Sequence, residues 1–253
     1  MTFGKISTDM QPHIEQATDE LLKCCQILVQ HKLDSCPFGN VSIRIAKTEM
    51  YVQNPVGIHF KNLTKADVLV VNADGKVVSG KHQPHPGEFI HREIYRIRPD
   101  VNAIVHTHSH TTVILSLLQC FIEPLTQIGA SFHNDQALYA GFTGPVRTSD
   151  EGKEMAHRLG DKSLLIAKNH GVFAAGQNIQ SACWDFVLAD QAARIHLDAA
   201  ALGIHKADIL TDEFLLKSKK EVRDLQCEAF WKQNTSFHFK QNDLDHDTHH
   251  DKT

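Results

Sequence analysis

The chain has 253 residues, a formal net charge of −4 and 42% hydrophobic residues, enough for one large globular domain or two small ones with a substantial core. The mild acidic balance leaves no basic footprint and argues against nucleic acid as a partner. No apolar run approaches the roughly 20 residues that span a bilayer, and residues 1–16 hold no apolar stretch of signal-peptide length. A soluble, cytoplasmic protein with no membrane partner is therefore expected.

Residues 9–32 carry Ile14, Ala17, Leu21, Leu22, Cys25 and Leu28 at a helical period. Pro37 and Gly39 break the chain, and Val41, Ile43 and Ile45 alternate with Ser42 and Arg44 as a strand buried on one face. A strand at 50–52 is closed by Asn54-Pro55 and Gly57. Residues 68–71 and 76–78 flank Asn72-Ala73-Asp74-Gly75, and the Asp-Gly pair is a strong hairpin signal. Pro86 opens a helix over 87–98 that Pro99 stops.

A strand over 101–107 and a short helix over 111–118 come next, whereas 129–144 yields no readable motif. Thr148 and Glu151 fit a capping box for a helix that Gly160 ends. Strands at 163–167 and 172–175 flank Lys168-Asn169-His170-Gly171. A long helix with the stripe Ala182, Phe186, Ala189 and Ala193 ends at Gly203, and a last helix covers 212–231. From Gln233 the chain is polar and rich in His and Asp, so a disordered tail over 233–253 is expected to follow one mixed α/β domain over 1–232. The six cysteines (Cys24, Cys25, Cys36, Cys120, Cys183 and Cys227) contain no C-x-x-C pair and read as reduced thiols.

Histidine is the outlier, with 18 residues against 13 Phe and 2 Trp. Imidazole adds little to packing, so the excess is either solvated surface and tail or a metal site. Six histidines fall between His82 and His110. His106 and His108 sit at the end of a strand, where alternate residues point the same way. Alone they could be two polar residues at a strand end. His170 stands in a similar place after the 163–167 strand, with Gly171 allowing a tight turn. Three histidines at strand ends can make a three-ligand site with an open position, the pattern of a catalytic zinc.

Glu88 lies in the first turn of its helix. There it serves either the helix dipole or, beside a cation, as general base or further ligand. His91 reads as a surface residue, and His110 is open between surface and the site. His246, His249 and His250 fit a solvated terminus better than a metal-scavenging tail.

The runs Pro86-Gly87-Glu88-Phe89-Ile90-His91, Arg98-Pro99-Asp100, His106-Thr107-His108 and Asn169-His170-Gly171, with Phe38-Gly39-Asn40 near the start, resemble the class II aldolase and adducin head family over about residues 10–230. The resemblance implies a single α/β/α domain with a mostly antiparallel central sheet, often assembled as a tetramer. It also implies a divalent cation, usually zinc with manganese, iron or cobalt as alternatives, held at His106, His108 and His170. Glu88 falls on the catalytic glutamate, and Asn40, Gly57 and Gly87 fall in the substrate-binding turns.

The implied chemistry is carbon–carbon lysis of a small hydroxy-carbonyl compound through a metal-stabilised enediolate. Decarboxylation of a hydroxy or oxo acid is the alternative within the family, and a non-catalytic adducin-like module the alternative outside enzymology. Two departures weaken a phosphorylated substrate. The serine pair that precedes the family glutamate is replaced by Pro86 and Gly87, and its Thr-Gly turn stands here as Val56-Gly57. Backbone N–H groups at the start of the Gly87 helix remain available, on sequence alone, to an anion. Tyr139 and His133 are candidates for an acid donated by a neighbouring subunit.

Overall fold

The computed structural model describes residues 8–34, 38–141, 144–204 and 211–247. α1 (Gln11–Gln30) buries Ile14, Ala17, Leu21, Cys24, Cys25, Ile27 and Leu28 along one stripe, as its period requires. β1 (Asn40–Arg44), β2 (Tyr51–Gln53), β3 (Leu69–Val71) and β4 (Val77–Ser79) form an antiparallel meander. Asn72 Oδ1 closes the last hairpin by accepting from the N–H groups of Asp74 and Lys76, with Gly75 at φ +79°.

α2 (Glu88–Ile97), β5 (Ala103–Thr107) and α3 (His110–Leu118) follow. The single turn α4 (Gln127–Ala130) and β6 (Gln136–Tyr139) occupy the stretch with no sequence motif. Then come α5 (Ser149–Leu159), β7 (Leu164–Ala167), β8 (Gly171–Gly176), α6 (Ile179–Ala201), α7 (Asp212–Ser218) and α8 (Leu225–Asp247). The expected capping box is present: Thr148 Oγ1 accepts from Glu151 N, and Glu151 Oε2 accepts from Thr148 N. The last expected helix is instead two helices joined by a π-turn, Lys219–Asp224, and α8 continues past Trp231. Residues 248–253 of the expected tail, with His249 and His250, lie outside the described residues, as does Cys36; the other five cysteines are free thiols.

The eight strands form one sheet in the order β4-β3-β2-β1-β5-β8-β7-β6, antiparallel except for β6 with β7. Helices cover both faces. On one face Leu21, Leu28 and Phe186 pack with Val41, Val105 and Val172; on the other Ile90, Ile94, Met155 and Leu159 pack with Tyr51, Ile104 and Phe173. This is the α/β/α arrangement with a mostly antiparallel sheet. The central strands are buried on both sides, so β5 and β8 read as near-continuous apolar runs. Behind α6, the buried Arg223 guanidinium on the π-turn forks onto Asp185 at 2.6 and 2.8 Å and reaches Asp135 at 2.6 Å. That anchors the C-terminal helices to the domain. Among the described residues no helix is long and apolar enough to cross a membrane.

Candidate active site

Three local devices bring the imidazoles together. His106 is the penultimate residue of β5, on the α2 face, stacked on Phe173 with ring centroids 3.9 Å apart, and its Nδ1–H donates to the Val172 carbonyl at 2.9 Å. His108 directly precedes Ser109, the N-cap of α3, whose hydroxyl accepts from Thr112 N and donates to Asp190 at 2.6 Å. His170 rides the β7–β8 turn, its N–H shared by Ala167 O and Ser116 Oγ, each at 3.1 Å. Gly171 there sits at φ +145°, and a Cβ would meet the Thr107 carbonyl at 3.3 Å and His106 Cε1 at 3.6 Å. Only glycine lets the turn lie against β5.

The ligand atoms of His106, His108 and His170 all lie within 4.8 Å of one another, and His106 Nε2 is 3.1 Å from His170 Nε2. Two nitrogens at 2.0–2.1 Å from one tetrahedral zinc lie about 3.3 Å apart. The donor set therefore fits a single small cation. Because Nδ1 of His106 commits its proton to Val172, Nε2 carries a lone pair. Burial, followed by the neighbouring imidazoles, lowers the pKa of His106 and takes that of His170 down to about 3; burial lowers His108 as well. All three are neutral ligands near pH 7.

Asn40 opposes His106 in the β1–β5 register and is fully buried. Asn54 fixes this end of β1, accepting from Val41 N at 2.7 Å and donating to the Gly39 carbonyl at 2.9 Å. Gly87 lies against Asn40: a Cβ there would come within 2.8 Å of Asn40 Nδ2. Two of the N–H groups that this helix start could offer an anion are engaged within the chain. The Gly87 and Glu88 N–H groups donate to His85 Nδ1 and the His85 carbonyl, at 3.1 and 2.9 Å. Gly87 permits the close approach of Asn40 rather than supplying a donor. Gly57, at φ +84°, belongs to a turn brought beside this segment by the Pro55–Pro84 bridge.

Glu88 is buried but stands apart from the imidazoles. Its Oε1 accepts from Tyr51 Oη at 2.8 Å and faces Arg92 Nη1 at 3.4 Å, over β2 and the β3–β4 turn. His106 lies on β5, on the other side of β1. Burial raises the Glu88 pKa, with Tyr51 and Arg92 opposing. His91 is corrected from surface to core: it is fully buried, with Nδ1 2.7 Å from Ser42 Oγ. One turn after Gly87, it faces the polar Ser42 on β1, which the alternation of β1 points toward α2. His110 and His133 are exposed, and Tyr139 bonds Glu154 on the edge strand β6. Sequence reasoning missed His85, Gln53 and Asn54. His85 is pulled down to about 4 by burial and then by His108. Only the Asn-Pro pair among these carried a turn signal.

The sequence profile of the class II aldolase and adducin N-terminal domain matches residues 19–197. The chain belongs to this family. Over 157 residues it is 34% identical to decarboxylase NovR of Streptomyces niveus, a match covering 61% of this chain and 58% of that protein. The chain thus spans under three-fifths of that relative's length. It is 29% identical over 179 residues to L-fuculose phosphate aldolase of Methanocaldococcus jannaschii, covering 70% of this chain and 94% of that one. Human gamma-adducin is 30% identical over 148 residues, 56% of this chain and 21% of adducin. In fold, the chain is similar to the L-fuculose 1-phosphate aldolase of Glaciozyma antarctica, with a TM-score of 0.79 at 22% identity over 94% of this chain and 95% of that one.

Proposed function

We propose that this chain is a divalent-metal-dependent carbon–carbon lyase of the aldolase type, acting on a small hydroxy-carbonyl compound. The observation that carries this reading is the convergence of three neutral imidazoles with the His106 and His170 Nε2 atoms 3.1 Å apart. His106, His108 and His170 would hold the cation; zinc suits three nitrogen ligands, with manganese, iron or cobalt next. When bound, it would supply a Lewis acid for a carbonyl and its neighbouring hydroxyl.

The remaining work falls to the chain. Asn40, packed on Gly87, receives the end of the substrate nearest His106, with the Gly57 turn at the rim. Glu88 carries the proton. Its buried carboxyl, with a pKa raised by desolvation, suits that task, and reaching the substrate requires it to leave Tyr51 and Arg92. A homotetramer is part of the proposal, with the exposed Leu117, Leu118 and Phe121 at the end of α3 as apolar contact surface. We also assign the protein to the cytoplasm.

Decarboxylation is the second reading. It is favoured by one observation, the Gly87 and Glu88 N–H groups being already committed to His85, which removes two donors from a phosphate site. The family's adducin branch suggests a non-catalytic module, and three intact imidazoles speak against it. Incubating the zinc-loaded protein with hydroxy acids and ketoses, and assaying carbon dioxide and aldehyde separately, tests these readings. Aldehyde release supports the lyase, carbon dioxide the decarboxylase. No metal uptake and no product overturns both.

A further inference from the structure

Beside the three imidazoles, two fully buried amides are joined by half of the bonding they could make. Gln53 Nε2 donates to Asn40 Oδ1 at 2.8 Å, while Asn40 Nδ2 and Gln53 Oε1 have no hydrogen-bond partner among the described residues. Two facing amides can close a ring of two bonds; here the second is open. Exchanging O for N in both amides leaves the same inventory, one donor and one acceptor. A buried polar atom without a partner is costly, and two on adjoining side chains point to a ligand group between them.

The surroundings define what that group is. Asn40 Nδ2 packs closely on Gly87, where a Cβ would come within 2.8 Å of it, and Asn40 faces His106 across the β1–β5 pair. A neutral hydroxyl accepts from Asn40 Nδ2 and donates to Gln53 Oε1, satisfying both. A phosphate or carboxylate only accepts, so it sets anionic oxygen against Gln53 Oε1. The Gly87 and Glu88 N–H groups are taken by His85, and the guanidinium of Arg92 is held by Glu88 and the Asp74 carbonyl. These described groups are thus already engaged and do not offset an anion.

We propose that the Asn40–Gln53 amide pair is a specificity site that selects hydroxy-carbonyl substrates ending in a free hydroxyl and rejects their phosphate esters, with Gln53 a specificity-determining residue. This rests on the lyase reading above, since a substrate anchored at His106 presents its end to Asn40.

Calorimetric titration of the zinc-loaded protein with dihydroxyacetone and with dihydroxyacetone phosphate tests it. The expected result is zinc-dependent binding of dihydroxyacetone at least about tenfold tighter than that of its phosphate ester, as one unpaired buried polar group implies. Equal or tighter binding of the ester overturns the inference and leaves the metal site standing. Zinc-dependent binding of neither compound overturns the inference, and the lyase reading is decided separately by zinc uptake and product release. In Gln53→Met, matched in length and lacking the acceptor, the preference is expected to fall toward unity; an unchanged ratio removes Gln53 from selection. The wild-type ratio decides the matter even where the variant fails to fold.

Discussion

Tyr51 donates its hydroxyl hydrogen to Glu88 Oε1 across 2.8 Å, tying the proposed proton carrier to a neighbouring strand rather than to the imidazoles. Burial and the adjacent carboxylate raise the Tyr51 pKa, so it stays a donor at all working pH values. The bond favours the ionised carboxylate and opposes the upward push of burial on Glu88. Removing it in Tyr51→Phe lets the Glu88 pKa climb further. A base of higher pKa ionises later, so the acid limb of the kcat/KM profile is expected to move to higher pH. Glu88→Gln should keep its metal and lose about 10²–10⁴-fold in kcat. Unchanged turnover in Glu88→Gln removes Glu88 from the mechanism.

Metal retention should depend on each imidazole. His106→Ala and His170→Ala are expected to lower bound zinc from about one per chain to below about a tenth, measured by plasma mass spectrometry on protein purified without an affinity tag. Far-UV circular dichroism should be unchanged in His170→Ala, because the His170 ring sits in a turn rather than in a core. Retention of stoichiometric zinc in both variants contradicts the assignment of the ligands.

Acid should destabilise the fold through its buried histidines. Burial, then the charge of His85, takes the His91 pKa down to about 3, against an ordinary value of 6.5. Between those values the unfolded chain binds a proton that the folded chain refuses, so stability falls as pH falls. At about 1.4 kcal/mol per pH unit, His91 alone accounts for about 2 kcal/mol between pH 6.5 and 5, and His106 acts in the same direction. Urea denaturation at pH 7.5 and 5.0 in the presence of a chelator measures the loss. His91→Gln, which cannot protonate, should lose correspondingly less.

The C-terminal helices hang on a buried ion cluster. Arg223→Met leaves the buried Asp185 carboxylate, which bonds no other cation among the described residues, without its partner. Breaking such a pair costs about 3–5 kcal/mol. Urea midpoints for Arg223→Met, and for the double variant with Asp185→Leu, check this: the double variant should recover part of the loss. A double variant no more stable than Arg223→Met shows that shape rather than charge governs the site.

Much of this molecule is legible in its sequence because its signals are local. Alternation at Val41, Ile43 and Ile45, the Asp74-Gly75 turn, the Thr148–Glu151 capping box and Gly171 each act within a few residues. His106, His108 and His170 are legible for the same reason, since strand ends and a tight turn have short-range signatures. β6 escaped notice because a four-residue edge strand carries too few residues to display a period.

Side-chain direction is a different matter. Whether Glu88 faces the imidazoles or Tyr51 depends on how α2 rotates over β1 and β2, and adjacent helical positions point about 100° apart. The same rotation carries His91 from expected surface to core. It also sets Gly87 against Asn40 and spends the helix-start N–H groups on His85. The amide pair of Asn40 and Gln53 exists only because β1 and β2 pair in one register, since a slip of one residue would send either side chain to the opposite face. Sequence alone determined a mixed α/β domain and the three candidate ligands through short-range patterning. The tertiary structure decided which polar atoms meet, because only packing fixes rotation and register between elements distant in the chain.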